Sequence, residues 1–475
     1  MQDLNRITAN LPANLTIRII QFGEGNFLRA FADWMIDLMN EKERFDAGVA
    51  IVQPISQGMV KVLDQQDGLY HHLLRGIIDG VQIDEARMIS CVQKSVNPFE
   101  DPSAYWQLAE NPDLKIVLSN TTEAGIEFIV DDKPDPGILA RSFPGKLTQL
   151  LKHRYEFFNG SKECGLVVIP CELINLNGTK LKEAILDYCT LWDFDNEFKD
   201  WLIESNFFAN TLVDRIVPGY PKEEIDQIRR RVGYDDQLVV ASEAFHLWVI
   251  QGPEQVQRAF PADKFGFNVK FVDDLSPYRT RKVRILNGAH TSLVSIGLIA
   301  GLETVKEGIE DGVIGGFIKE AINEEISPTI DLEAFELKQF ADEVLERFVN
   351  PFIRHELIAI SLNSISKFKV RVLPSLLDYY EAKGKLPKRL VFALAGLIKL
   401  YLSQDHFMLK DNAHYLSFFN QMTTTNSKDM VVRVLTNQDF WGRDLTEIDG
   451  IETLVISYLD SIETLGIKEA IKSLF

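Results

Sequence analysis

The chain has 475 residues, more than one hydrophobic core usually organises, so we expect two domains. Its 50 Lys and Arg residues against 69 Asp and Glu give a formal net charge of -19, and no basic block offsets it, which argues against a nucleic-acid partner. No apolar run reaches the ~20 residues of a membrane span, the amino terminus lacks a signal-peptide pattern and the four cysteines are scattered, so we expect a cytoplasmic protein with reduced thiols.

Short apolar runs alternate with helical patterns in the first half of the chain. The strand-like runs lie at 15–22, 48–55, 114–119 and 165–170. Apolar residues from Phe27 to Met39 recur at helical spacing between the first two runs, and 60–95 predicts a hairpin or an antiparallel extension. The alternation predicts a parallel sheet with right-handed crossovers, and therefore an α/β domain.

From about Tyr278 onward the pattern becomes helical. Segments with a 3.6-residue period lie at 282–300, 302–325, 334–348, 351–365, 388–403 and 450–472. We therefore predict a sheet domain over 1–280 and a mostly α-helical domain over 281–475. Because no linker separates them, we expect the two to pack closely, with a cleft at their junction.

A glycine turn follows the first predicted strand. Gly23-x-Gly25 lies between that strand and an amphipathic helix, where glycines allow a pyrophosphate to approach the backbone. Leu28 stands where a third glycine is usual, and a plain structural turn is the alternative reading. The predicted dinucleotide-binding stretch comprises Ile19, Ile20, Gln21, Phe22, Gly23, Glu24, Gly25, Asn26, Phe27, Leu28, Arg29 and Ala30.

Polar residues follow two other predicted strands. The second strand ends at Gln53, where a carboxylate usually holds the ribose hydroxyl, and no Arg stands there to receive a 2′-phosphate, so NAD is preferred over NADP. Asn120, Thr121 and Glu123 follow the strand at 114–119 and are candidate cofactor contacts. A capped turn explains this second group equally well.

The strongest chemical signal is a Lys-x4-Asn-x2-His spacing formed by Lys282, Asn287 and His290. On an α-helix Lys282 and His290 lie about 80° apart and Asn287 about 60° further round, so all three can border one cleft. An amine to transfer a proton, an amide to hold an oxyanion and an imidazole to orient a hydroxyl would serve carbonyl–alcohol interconversion. Taken singly, Lys282 reads as a helix lysine that reaches water and His290 as a core histidine.

These residues resemble the polyol-specific long-chain dehydrogenases, typified by mannitol dehydrogenase. Lys282-x4-Asn287-x2-His290 matches that family's catalytic signature. The other matching stretches are 19–30, 119–126, 169–174, 211–217, 249–253 and 285–291, with thinner similarity at 347–351 and 444–446. The resemblance implies a Rossmann-type domain followed by a helical domain, and a metal-independent, NAD-dependent oxidoreductase.

The resemblance also implies roles for single residues. Lys282 would be the general acid/base, Asn287 an oxyanion contact and His290 a substrate-positioning residue. Asp214 matches a family Asp near the substrate, although an ion pair with Arg215 is equally consistent with the sequence.

Two further expectations concern the substrate. Polyol-oxidising relatives carry an oxyanion Asn where this chain has Leu173, so Asn175 or Asn177 would have to replace it. Arg281 and Arg284 flank Lys282 and would favour its neutral form. The two could also form the cationic patch that a uronate carboxylate needs, with Arg284 as the candidate substrate contact. A solvated helix face is the alternative for this arginine pair.

Within the family, the matching stretches point to an enzyme that interconverts D-tagaturonate and D-altronate in hexuronate (galacturonate) catabolism. Its binding partner would be a small keto-uronate or aldonate substrate. We expect it to bind neither nucleic acid nor a membrane. The alternatives are a fructuronate reductase, a mannitol-type polyol 2-dehydrogenase, or an NAD-binding regulator without turnover.

Overall fold

The computed structural model describes residues 1–43, 45–122, 124–133, 137–422 and 427–474. Within these residues the chain divides into two compact units, Met1–Leu275 and Ser276–Phe475. The domain boundary predicted between residues 280 and 281 lies five residues after the boundary between these two units.

A six-stranded parallel sheet organises the first unit. Its strands are β1 (Ile17–Phe22), β2 (Gly48–Val52), β3 (Val92–Val96), β4 (Ile116–Ser119), β5 (Val167–Pro170) and β6 (Phe207–Phe208). The spatial order is β3-β2-β1-β4-β5-β6, and every neighbouring pair is parallel. This is the order of a Rossmann fold, in which the strand sequence reverses between the first and fourth strands. The predicted fold class is confirmed.

The sheet is covered on both faces, and β2, β4 and β5 are buried along their whole length, which is why these three strands are nearly continuous apolar runs. On β1, Ile19 packs into one hydrophobic cluster together with Met35, while Ile20 and Phe22 pack into the opposite cluster together with Leu147. The amino-terminal helical pattern covers the first face. It is interrupted at Phe31, between helices Asn26–Ala30 and Ala32–Glu43.

Two smaller sheets accompany the large one. The hairpin predicted in 60–95 is confirmed: Tyr70–Ile78 pairs antiparallel with Val81–Ile89 and also parallel with Val240–Glu243. In the other sheet, Leu247–Gln251 lies between antiparallel Asn210–Asp214 and parallel Val269–Val272. A short bridge joins Gln2–Asp3 to Tyr234–Asp235. The remaining helical segments of this unit are Val60–Gln65, Pro102–Ala109, Phe143–Phe157, Lys162–Cys164, Asn177–Leu191, Asn196–Ser205, Ile225–Val232, Glu254–Ala259 and Ala262–Phe265.

The second unit is mostly helical over its described residues, as predicted. Its helices are Ser276–Arg281, Lys282–Asn287, Gly288–Ile299, Val305–Glu310, Ile314–Glu320, Ala321–Ile326, Ser327–Thr329, Ala334–Phe348, Leu357–Ile360, Ser364–Arg371, Leu373–Lys383, Lys388–Leu402, Gln404–Phe407, Ala413–Asn420, Ser427–Leu435, Gln438–Trp441, Leu445–Glu447, Ile451–Leu465 and Ile467–Leu474. Two of them, Lys282–Asn287 and Ala321–Ile326, are π-helices.

The predicted continuous helix over 351–365 is wrong. The chain forms two short helices there, Leu357–Ile360 and Ser364–Arg371. Asn363, at the start of the second helix, has a left-handed conformation with φ of 57°, which interrupts helical geometry between the two and which Asn adopts more readily than most non-glycine residues. In the described ranges, no helix is both long and apolar enough to span a bilayer.

Candidate active site

The turn after β1 has the backbone geometry expected of a dinucleotide-binding loop. Gly23 has φ of 118°, donates its N–H to the Val52 carbonyl at 3.1 Å, and a β-carbon added there would lie 3.0 Å from the Asn120 carbonyl oxygen. Glycine is therefore required at this position for both conformation and space. At Gly25 an added β-carbon would meet no atom within 4 Å, so this backbone borders open space.

That space is a cavity of about 560 Å³ at the carboxyl end of the sheet. Of the predicted stretch 19–30, the residues that line it are Gly23, Glu24, Gly25 and Asn26. Its other walls include Pro54 and Met59 after β2, the loop after β4, and the start of helix Phe143–Phe157. The position, at the strand reversal, and the glycine-lined opening fit a dinucleotide.

The rest of the predicted stretch lies behind the cavity. Ile19, Ile20, Phe22, Leu28 and Ala30 are buried core residues, Gln21 is buried, and Phe27 is partly buried.

Arg29 is buried and braces the turn in a way that sequence patterns do not reveal. Its guanidinium donates to the Glu24 carbonyl at 3.1 Å, the Asn26 side-chain oxygen at 2.8 Å and the Leu238 carbonyl at 2.5 Å. These bonds fix the turn from inside the core. Arg29 is thus a support for the cavity wall.

The Glu24 side chain brings a carboxylate to the cavity near the end of β2, where the usual ribose-binding Asp or Glu is missing. Gln53 uses its side-chain N–H to bind the Ile55 carbonyl at 2.8 Å. Glu24 instead reaches this corner from the glycine turn, and its Oε1 accepts from the Met59 N–H at 3.4 Å. A β-carbon added at Gly58 would lie 2.0 Å from that oxygen, so glycine makes room for the carboxylate. Burial raises the pKa of the Glu24 carboxyl.

The loop after β4 is held by a second buried carboxylate, which sequence reasoning missed. Glu172 follows β5 and accepts hydrogen bonds from the Ser119 hydroxyl and from the N–H and hydroxyl of Thr121, each at 3.0 Å. Asn120 and Thr121, two predicted contacts, both line the cavity. The third, Glu123, lies outside the described residues.

The segment from Lys282 to His290 has a geometry that the α-helical prediction did not anticipate. Lys282–Asn287 is a π-helix, and only from Gly288 does an α-helix continue. Residues five apart are ~140° apart on an α-helix, whereas the i→i+5 bond of a π-turn brings them nearly above one another. The angles predicted for this segment are therefore wrong. Lys282 and Asn287 lie closer to a common face of the helix than those angles imply.

His290 is held in a fixed orientation on the helix that follows. Its ring stacks on Phe348, with centroids 4.1 Å apart and planes inclined by 21°. His355 packs edge-on against it at 4.9 Å, and burial lowers the pKa of His355. His290 itself is 8% exposed, so it combines the packing of a core histidine with a small accessible edge.

The two arginines beside Lys282 each have an acidic partner within the helical unit. Arg281 is 3% exposed, pairs with Glu336 at 2.9 Å and lies over the Phe340 ring at 4.2 Å. Arg284 pairs with Asp378 and donates to Thr329. A solvated arginine face is therefore wrong. Each of the two charges is therefore compensated by a carboxylate of the same unit.

Asn175 and Asn177 are the two residues predicted as substitutes for the amide missing at Leu173. Asn177 is buried, and its amide donates to the Pro170 and Glu172 carbonyls and accepts from Thr211, so it is a structural residue and does not replace the amide missing at Leu173. Leu173 and Asn175 are both exposed.

Asp214 lies on a strand and is 5% exposed. The predicted ion pair with it is not formed: in the described chain the Arg215 guanidinium donates to the Ala30 and Glu243 carbonyls and covers the Trp34 ring at 4.3 Å. Arg215 therefore anchors the end of the first helix.

Among the residues that the structure describes, no group of three or more His, Cys, Asp or Glu side chains is placed to hold a metal ion. Residues 17–264 match the model of the mannitol dehydrogenase Rossmann domain, and residues 274–463 match that of the mannitol dehydrogenase C-terminal domain. The chain belongs to the mannitol dehydrogenase family. The resemblance seen in the sequence is confirmed, and the family's two domains coincide with the sheet unit and the helical unit.

Similar proteins cover the whole chain. An altronate oxidoreductase from Bacillus subtilis (strain 168) is 44% identical over 479 residues, covering 99% of this chain and 98% of the relative. One from Bacteroides thetaiotaomicron is also 44% identical, over the full length of both proteins. Among solved structures, a D-sorbitol dehydrogenase superposes with a TM-score of 0.81 at 22% identity, covering 99% of this chain and all of the other. The mannitol 2-dehydrogenase of Pseudomonas fluorescens, in complex with NAD and D-mannitol, superposes with a TM-score of 0.67 at 21% sequence identity, covering 100% of this chain and 99% of the other. At these identities the two structures establish the fold.

Proposed function

We propose that this protein is an NAD-dependent oxidoreductase that interconverts D-tagaturonate and D-altronate. The observation that carries the proposal is the Lys282-x4-Asn287-x2-His290 segment, intact on a π-to-α helix in a chain of this family. The full-length relatives named altronate oxidoreductase, at 43–44% identity, support the choice of substrate. A cytoplasmic location, where NADH and free sugar acids are available, is part of the same proposal.

The cofactor proposal depends on the cavity beside Gly25. When bound, NADH would supply the hydride that reduces the ketone carbon. Gly23 and Gly25 would admit the pyrophosphate, Glu24 would accept from a ribose hydroxyl, and Asn120 would contact the part of the cofactor near β4. The Glu24 carboxylate, already partly buried, would repel a 2′-phosphate, which favours NAD over NADP.

In the reductive direction, the Lys282 ammonium donates a proton to the carbonyl oxygen as the C=O bond becomes an alcohol. The Asn287 amide N–H stabilises the negative charge that develops on this oxygen, a contribution that exists only in the transition state. His290, fixed between Phe348 and His355, orients the substrate hydroxyl groups. In the oxidative direction Lys282, as the neutral amine, accepts the proton instead.

Three further residues stay predictions for substrate contact: Asp214, Asn175 and Arg284. Arg284 would have to share its charge between a substrate and Asp378. Asn175 is exposed beside Leu173 and is the remaining candidate for a second amide donor.

The test is NADH oxidation by the purified protein with tagaturonate, fructuronate, fructose and tagatose. We expect the highest kcat/KM with tagaturonate. A higher value with fructuronate would change the substrate to that keto-uronate, and a higher value with fructose would assign a polyol dehydrogenase. NADH binding without turnover of any substrate would identify a binding protein without catalysis.

A further inference from the structure

The last residue of helix Ser364–Arg371 touches the catalytic segment. A β-carbon added at Gly288, the residue after Asn287, would lie 3.1 Å from the Arg371 carbonyl oxygen. The glycine of the Asn-Gly-x-His sequence thus allows this helix end to approach the backbone beside the oxyanion donor. Arg371 is consequently a close neighbour of the proposed site within the helical unit.

The charge of Arg371 has no counterpart among the described residues. Arg281 and Arg284, on the catalytic segment itself, are each paired with a carboxylate. The Arg371 guanidinium, by contrast, makes no ion pair and no hydrogen bond with any residue the structure describes. Its side chain is only partly exposed, and burial lowers its pKa with no acidic group opposing the effect.

A second cation adds to this local excess of positive charge. Lys367 lies one helical turn earlier, and its Nζ donates to the Ile360 carbonyl at 2.7 Å. Burial and the charge of Arg371 both lower the pKa of Lys367, whereas Asp411 raises it. Two partly buried cations one turn apart repel each other, so the helix keeps an arrangement that destabilises the protein without ligand.

An anionic ligand would remove this destabilisation. On a chain with a net charge of -19, a retained and uncompensated positive site is the feature that a carboxylate needs in order to bind. The planar guanidinium offers two parallel N–H groups that match a carboxylate, which a sugar acid has and a polyol lacks.

We propose that Arg371 binds the carboxylate of the sugar-acid substrate and thereby selects uronates and aldonates over uncharged ketoses and polyols. The inference rests on the proposed function, because it takes the Lys282 segment as the place where the substrate reacts. Arg371 extends this site along the neighbouring helix.

The test compares a charged ligand with its uncharged counterpart. Altronate and altritol differ by the carboxylate, and their binding to the enzyme–NADH complex is measured by calorimetry for the wild type, Arg371→Met and Arg371→Lys. We expect Arg371→Met to weaken altronate binding at least ~30-fold and to leave altritol binding within about twofold, because a charge-assisted hydrogen-bonded pair is lost. Arg371→Lys keeps the charge but lacks the two parallel N–H groups of the guanidinium. Its loss of altronate affinity should therefore lie between those of the wild type and Arg371→Met.

Lys369→Met is the matched control. Lys369 lies on the same helix but faces Gly442, where a β-carbon would be 3.1 Å from its Cε. This variant removes the same charge from the protein, and we expect altronate binding within about twofold of wild type. Thermal melting of every variant checks that it is folded.

Steady-state kinetics supply the second readout. Arg371→Met should raise KM for tagaturonate at least ~30-fold and leave kcat nearly unchanged, since the carboxylate lies away from the reacting carbon. An unchanged KM, or an equal loss of affinity for altronate and altritol, would refute the role of Arg371 and leave the proposed function intact. If the wild type does not reduce tagaturonate, the proposed function fails, and the altronate comparison still decides whether Arg371 binds a carboxylate. No altronate binding by the wild type would overturn both.

Discussion

We expect a buried carboxyl group near the glycine turn to make the stability of the sheet unit depend on pH. Asp33 is fully buried and accepts from the Tyr70 hydroxyl at 2.8 Å and from the Gln21 amide at 3.4 Å. The same Gln21 amide donates to the Gly23 carbonyl at 3.1 Å, so this cluster supports the turn. Burial outweighs both hydrogen bonds and raises the pKa of Asp33 to about 7.

The direction of the pH effect follows from linkage. Because the folded-state pKa exceeds the ordinary value of 3.8, the folded protein prefers protonated Asp33. Its contribution to stability is fully present below about pH 4 and is lost as the pH rises through about 7. At ~1.4 kcal/mol per pKa unit the complete loss is about 4 kcal/mol, of which roughly 2 to 3 kcal/mol falls between pH 5 and pH 8.5.

We therefore expect Asp33→Asn to change the pH dependence of the free energy of unfolding. Asn keeps the acceptor for Tyr70 and places an NH2 group where, in the described structure, Asp33 Oδ1 is buried without a hydrogen-bond partner. Relative to wild type, the variant should gain roughly 2 to 3 kcal/mol between pH 5 and pH 8.5. The measurement is urea denaturation of both proteins across this range.

The control is Asp64→Asn, because Asp64 lies at an exposed contact with Ser95 in the same unit. This variant removes one exposed carboxylate and gives the background effect of such a change on the free energy of unfolding. A difference between Asp33→Asn and wild type that does not change with pH would refute the reasoning, since it would mean that Asp33 titrates alike in the folded and unfolded states.

Three further predictions concern the proposed activity and the catalytic helix. Lys282→Ala should lower kcat by ~10²- to 10⁴-fold while NADH still binds, as measured by NADH oxidation and by calorimetry; a retained kcat would remove Lys282 from proton transfer. Glu24→Gln should tighten NADP binding ~10-fold relative to NAD, because the side chain keeps its shape and loses the charge that repels a phosphate; equal effects on the two dissociation constants would contradict this. Gly288→Ala should cost about 1–3 kcal/mol of unfolding free energy in urea, since its methyl group would press on the Arg371 carbonyl at 3.1 Å, and an unchanged midpoint would show that the helix end yields.

Most of the sheet could be predicted from sequence because several of its strands are buried on both faces. A strand such as β2 has no polar side, so it appears as a continuous apolar run. The predicted runs extend two or three residues beyond the observed ends, in part because apolar residues such as Leu15 pack against the core without joining the ladder. The hairpin could be placed only roughly because its second strand is largely exposed and carries a charged pattern.

The contacts that support the cofactor cavity could not be predicted in the same way. Arg29 and Glu172 are charged side chains, and nothing local in the sequence says that they are buried. Arg29 bonds to Leu238 across 209 residues, and Glu172 to Ser119 across 53. The partners exist only after the fold has brought distant segments together. Glu24 is a related case, because a carboxylate was sought after β2 and stands instead in the turn after β1.

The Lys282 segment shows why a motif can be recognised while its geometry is misjudged. The spacing is a property of the sequence, whereas the π-helical backbone over Lys282–Asn287 is seen only in the structure. Gly288, the residue after Asn287, leaves room for the Arg371 carbonyl oxygen, because a β-carbon there would lie 3.1 Å from it. If Asn287 and Arg371 have the roles proposed above, this close approach places the residue that would bind the substrate carboxylate next to the residue that would stabilise its oxyanion.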